Sequence, residues 1–129
     1  MFIIYTDGAC SGNPGPMGIG YVIHVSGKVE IKGSEAIGNG TNNIAEYSAV
    51  IKALEVAIKE YKPDKIELRA DSQLIIRQLN GEYKVKDPKL KQLKAKIDAL
   101  TNGISMKYVH IPREENKHAD QLSKSAISS

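Results

Sequence analysis

At 129 residues, with 41% hydrophobic and 26% charged residues, the chain is sized for one domain around one core and is too short for two. Cys10 is its single cysteine, which excludes an internal disulfide and a thiolate zinc site and fits a reducing cytoplasm. The net charge is only +3, no apolar run approaches the length of a membrane span, and MFII meets Asp7 too early for a signal peptide, so no membrane partner is expected.

Residues 2–6 (FIIYT) read as a strand that stops at Asp7-Gly8, followed by the Gly/Pro-rich loop SGNPGPMG. Tyr21–Val25 and Val29–Ile37, separated by Ser26-Gly27-Lys28, read as a hairpin, and Gly38-Asn39-Gly40 breaks the pattern. From Asn43 to Tyr61 the period changes: Tyr47, Ile51, Leu54, Ile58 and Tyr61 recur at helical spacing, with Pro63 just beyond. Lys65–Ala70 predicts a strand, and Ser72–Asn80 a short helix closed by Gly81. Leu90, Leu93, Ile97 and Leu100 mark another helix between Pro88 and Gly103. A last strand, Ile104–Ile111, leads through the loop Pro112–Lys117 to a terminal helix, His118–Ile127, and a serine-rich tail.

The order β-β-β-α-β-α-α-β-α predicts an α/β fold. Its five-stranded mixed sheet has an antiparallel meander first, then two parallel strands, with helices on both faces. Sites in such sheets gather where parallel strands end. Four acids stand near such ends: Asp7 in YTDGACSGNPG, Glu46 in TNNIAEY, Asp71 in ADSQ and Asp120 in NKHAD. Each has a structural alternative. Asp7 can start a turn, Glu46 lies at capping-box spacing from Asn43, Asp71 can cap the next helix, and Asp120 can favour a helix dipole. Four caps do not predict convergence, whereas a site for hard divalent cations such as Mg²⁺, with Mn²⁺ as the alternative, does. Two bridged ions, roughly 3.5–4 Å apart, would relieve the repulsion, activate a water and stabilise a leaving oxygen.

Basic charge is concentrated in residues 82–98, which hold 6 Lys/Arg against 3 Asp/Glu. That segment could attract a polyanion, or form an ordinary solvated helix face.

At the acidic motifs the chain resembles type 1 ribonuclease H from Met1 to about Ile127. TDGACSGNPGPMGIGYVI is similar to that family's first-strand signature, TNNIAEY to its first-helix signature, ADSQLIIRQLNG to its fourth strand and second helix, and PREENKHADQLSKSA to its final loop and helix. The resemblance implies a single ribonuclease H domain over residues 1–129, acting as a monomer. It implies metal-dependent hydrolysis of the RNA strand of RNA–DNA hybrids to 5′-phosphate and 3′-hydroxyl ends. It carries the metal-binding acids onto Asp7, Glu46, Asp71 and Asp120, the RNA-strand contacts onto Asn13, Asn43 and Gln73, and the DNA-phosphate pocket onto Thr41 and Asn42. Two other classes compete: a nuclease of the same fold acting on double-stranded RNA or DNA junctions, and a non-catalytic nucleic-acid-binding domain. The complete acid set favours catalysis.

The sequence departs from the family pattern twice. Gly81 to Pro88 is too short for the extra helix and basic protrusion of many members, and the chain has no tryptophan. It resembles the compact branch, whose substrate grip would rest here on Tyr83, Lys84, Lys86 and Lys89. In the final loop, gap-free counting back from Asp120 places His110 where many members carry a functional histidine. Arg113 is the more exposed candidate and resembles an arginine of compact members. His24 reads as a hairpin-face residue and His118 as a helix-start residue.

Overall fold

Three strands open the chain in the computed structural model: β1 (Phe2–Cys10), β2 (Gly15–Val25) and β3 (Lys28–Gly40). They are followed by α1 (Asn42–Tyr61), β4 (Lys65–Ala70), α2 (Gln73–Leu79), α3 (Pro88–Leu100), β5 (Ser105–His110), a 3₁₀ turn (Arg113–Glu115) and α4 (Lys117–Ser125). The structure describes residues 1–128; the end of the serine-rich tail, Ser129, lies outside them. No helix among the described residues is long and apolar enough to cross a membrane.

The sheet order is β3-β2-β1-β4-β5, antiparallel through β1–β3 and parallel from β1 to β4 and β5, as the element order implies. Boundaries differ at the start of the sheet. β1 continues to Cys10, and Gly38-Asn39-Gly40 stays paired, with Gly15 opposite Gly40 and Pro16 opposite Asn39. Apolar alternation ends earlier than the ladder, because pairing needs only N–H and C=O groups. Asp7 therefore lies inside β1, opposite Gly20, and not after a strand. At the other end of the chain, a 3₁₀ turn forms within the expected final loop, and α4 stops at Ser125.

Helices α1, α2 and α3 cover one face. Ile4, Ile23, Ile66 and Leu68 of the sheet pack there with Tyr47, Leu54, Ile75 and Ile97 in one buried cluster. Helix α4 covers the other face, against β2 and β1. Its seat depends on Gly20, where an added Cβ would meet Ala119 O at 2.3 Å and Ser123 N at 2.5 Å. Gly18 is equally close, 2.3 Å from Ser123 O.

Because those obstacles are backbone atoms, Gly20→Ala has to lift α4 from the sheet. The expected cost is about 1–3 kcal/mol or more, read as a lower urea midpoint at unchanged m-value. A parent-like midpoint would show that α4 is not seated through this residue.

Candidate active site

β1 and β4 run parallel with Tyr5 opposite Arg69, and continuing that register two residues brings Asp7 level with Asp71. Glu46 arrives from α1, whose backbone crosses directly over Gly8. A Cβ there would lie 2.3 Å from Ala45 C and 2.4 Å from Glu46 N. Only a glycine lets α1 come this near, and the Gly8 N–H then donates to Glu46 Oε1 at 3.3 Å. The result is one cluster: Asp7, Glu46 and Asp71 offer carboxylate oxygens within 4.8 Å of one another.

The competing structural roles of these three acids are not the ones seen. The N-cap of α1 is Thr41, which accepts from Ile44 N, so Glu46 is not three residues after a cap. Ser72 caps α2 in place of Asp71. Asp7 is in a ladder, not a turn. Asp120 does stand in the first turn of α4, with Lys124 Nζ 3.1 Å from its Oδ2. It lies near enough to Asp7 to raise its pKa but outside the three-acid cluster.

Two contacts fasten α4 to β1 beside the cluster. Buried Asn116, just before α4, donates through Nδ2 to Thr6 O at 2.9 Å. Fully buried Ser123 donates through Oγ to Asp7 Oδ2, also at 2.9 Å. Neither residue was marked by the sequence reading. Ser123 had one available signal: it lies three residues after Asp120, hence on the same helix face.

Burial is the main cause of the electrostatic strain. It pushes Asp7, which is 5% exposed, from an ordinary 3.8 to about 7, with the charge of Asp71 adding to the rise and the Ser123 hydroxyl opposing it. Burial and then the Asp7 charge push Glu46 well above the carboxylate range, against the Gly8 N–H. An all-oxygen donor set short of positive partners suits a hard divalent cation.

Around the acids, Asn13 Oδ1 accepts from Asn42 N at 3.2 Å, bringing the β1–β2 turn to the start of α1 with Thr41 and Asn43. Gln73 is exposed at the start of α2, two residues beyond Asp71. Tyr83, Lys84 and Lys86 lie past the other end of α2, roughly 10 Å along its axis. Tyr83 stacks there with Arg77, and Lys84 lines a groove of about 310 Å³ with Lys91 and Lys94. Lys89 instead borders a groove between β2, β3, α1 and α3. Of the two final-loop candidates, Arg113 Nε is 3.9 Å from Asp71 Oδ2 with its side chain 82% exposed. His110 ends β5, exposed and level with Ala70. His24 faces Tyr5 on the α4 side of the sheet, its pKa lowered by burial and then by Arg69.

The raised pKa of Asp7 has a consequence for stability. Between about 4 and about 7 the folded chain holds a proton that the unfolded chain has released. Stability of the metal-free protein should therefore fall as pH rises through that window, with the raised Glu46 adding to the fall. The slope is up to about 1.4 kcal/mol per pH unit for one proton. Asp7→Asn should flatten the slope and raise stability at pH 7.5. Urea melts in chelator from pH 4.5 to 8 measure this, and a parent stability that climbs over the same window would contradict the raised pKa.

Comparison with known proteins bears on the family and the fold. The RNase H family model matches residues 1–128. Ribonuclease HI of Halobacterium salinarum is 42% identical over 95% of the chain, which spans 62% of that relative's length. Ribonuclease H of Phenylobacterium zucineum is 38% identical over 98% of the chain and 90% of its own. Among solved structures, LC11-RNase H1 in complex with an RNA/DNA hybrid superposes with a TM-score of 0.92 at 47% identity, covering 98% of this chain and 96% of that one. A family match over nearly the whole length, joined to a shared sheet topology, places the chain in the RNase H family.

Proposed function

We propose that the chain is a metal-dependent endoribonuclease that hydrolyses the RNA strand of RNA–DNA hybrids, leaving 5′-phosphate and 3′-hydroxyl ends. The observation that carries this reading is the three-acid cluster, in which burial opposes the negative charge of Asp7 and Glu46. Asp7, Glu46 and Asp71, with Asp120 alongside, would hold two Mg²⁺ ions, or Mn²⁺. When bound, these ions would neutralise the cluster and supply Lewis acidity at the scissile phosphate.

The remaining roles belong to the chain's own residues. Gly8 N–H and Ser123 orient two of the acids. Asn13, Asn43 and Gln73 would meet the RNA strand, where the 2′-hydroxyl is the group that distinguishes it from DNA. Thr41 and Asn42 would receive a phosphate of the DNA strand. Tyr83, Lys84 and Lys86 would hold the duplex farther out, and Arg113, placed by its approach to Asp71, would contact a phosphate near the acids. We further propose that residues 1–129 act as one domain, as a monomer, in a reducing cytoplasm.

Incubation with labelled RNA–DNA hybrid, duplex RNA and duplex DNA, with and without Mg²⁺, tests the reading. Cleavage of the hybrid's RNA strand alone, only with metal, is expected. Cleavage of duplex RNA would widen the substrate class, and binding without cleavage would make this a nucleic-acid-binding domain. Asp7→Asn or Asp71→Asn should lower turnover by about a hundredfold or more, equivalent to roughly 3 kcal/mol of transition-state stabilisation. Near-parental rates at saturating Mg²⁺ would remove the assignment.

Arg113 and His110 are separated by a second experiment. Arg113→Ala should reduce turnover more than His110→Ala, because Arg113 reaches within 3.9 Å of a cluster acid while His110 enters no ion pair among the described residues. A guanidinium does not titrate near neutrality, so the pH–rate profile should keep its shape in the Arg113 variant. Greater damage from His110→Ala, with loss of a neutral-pH inflection, would assign the role to the histidine.

A further inference from the structure

We infer that Ser123 is a positioning residue for metal binding, acting through Asp7; the inference rests on the nuclease reading above. The Ser123 hydroxyl has one proton and two oxygens at 2.9 Å, Asp7 Oδ2 and the Asp120 carbonyl. A carboxylate is the stronger acceptor, and a carbonyl inside a helix is already served by the helical ladder. The proton therefore goes to Asp7. That bond holds Oδ2 from the α4 side and so fixes the rotation of a carboxylate that shares the cluster with Glu46 and Asp71.

The geometry around this bond is tightly determined. Ser123 is fully buried, so water cannot replace it as donor. Its backbone N would lie 2.5 Å from a Cβ on Gly20, and Gly20 is the ladder partner of Asp7. Glycine at this position lets α4 sit on β2 directly beside Asp7. Asn116, one helical turn before Asp120, holds the preceding residue of β1 through Thr6 O. The same two anchors place Asp120 next to Asp7, so one hydroxyl links the orientation of a cluster acid to the position of the fourth. Partners of this kind, which hold a metal ligand without touching the metal, commonly change metal affinity 10–100-fold.

The test compares Ser123→Ala and Ser123→Cys with the parent. Alanine is smaller than serine and cysteine somewhat larger, while neither donates as serine does, so a shared loss of affinity reports the hydrogen bond and not the packing. Calorimetric titration with Mg²⁺ and with Mn²⁺ should show both variants binding about tenfold more weakly. The metal concentration for half-maximal cleavage should shift in parallel, with the KM for hybrid unchanged once metal is saturating. Ser123→Thr, which restores a hydroxyl, should recover most of the affinity wherever its melting temperature shows that the extra methyl is accommodated. Melting in chelator confirms that each variant is folded. Folded Ala and Cys variants with parental metal affinity would overturn the inference and leave Ser123 a packing residue. A parent that binds neither ion would overturn the nuclease reading as well, so the two failures are distinguishable.

Discussion

Mutual repulsion among three carboxylates within 4.8 Å is the constraint around which this fold is organised. Water would screen such a cluster on an open surface. Here Asp7 is buried, and the protons that the metal-free site retains reflect the cost of keeping charge there. The protein offers little relief of its own. The Gly8 N–H and the Ser123 hydroxyl each stabilise one carboxylate, while Arg113 stands off at 3.9 Å and is mostly solvated. A guanidinium or ammonium lodged among the acids would stabilise the fold and occupy the place of a cation. Its absence among the described contacts leaves room for a ligand that carries more charge.

Holding repelling groups together requires elements that cannot move apart, and the backbone supplies this at two glycines. Gly8 lets α1 cross β1 closely enough to bring Glu46 in from one face, and Gly20 lets α4 press on β2 from the other. β1, the middle strand of five, is thereby clamped between two helices at the level of Asp7. The buried cluster of α1–α3 and the sheet provides the opposing stabilisation. Core packing thus sustains the strain at the site, a division of labour common where function demands locally unfavourable groups.

The parts legible in the sequence were those with a periodic or punctuated signal. The helical spacing of Tyr47, Ile51, Leu54 and Ile58, the strand Lys65–Ala70 between Pro63 and Asp71, and Gly81 and Gly103 after their helices all leave such marks. So did three converging acids, since each sits within a recognisable polar signature. What was not legible depended on distance through space. Beyond Thr6 the strand continues through Asp7, Gly8, Ala9 and Cys10, with no large apolar side chain to mark it, which is why the strand reads as stopping at Asp7. Ser123 lies 116 residues from Asp7 along the chain, and its one local mark, a place on the same helix face as Asp120, does not point to Asp7. Asn116 likewise reads as loop polarity until its Nδ2 is seen on Thr6 O.

The basic segment shows how the structure divides a charge excess that composition only locates. Lys94 is paired with Asp98 and Lys96 with Glu55, whereas Lys84, Lys86, Lys89 and Lys91 enter no ion pair among the described residues. Two of these, Lys84 and Lys91, line the same groove beyond the end of α2, away from the acids. A polyanion approaching this surface meets attraction there and repulsion at the cluster. On the proposed reading, neither term suffices alone: the lysines can hold a duplex without bringing its phosphate to the acids, and the acids repel that phosphate until cations neutralise them. Metal and substrate each improve the electrostatic environment of the other. By linkage their affinities must then rise together, the metal binding more tightly to the complex by the same factor as the hybrid binds more tightly to the metal-loaded chain.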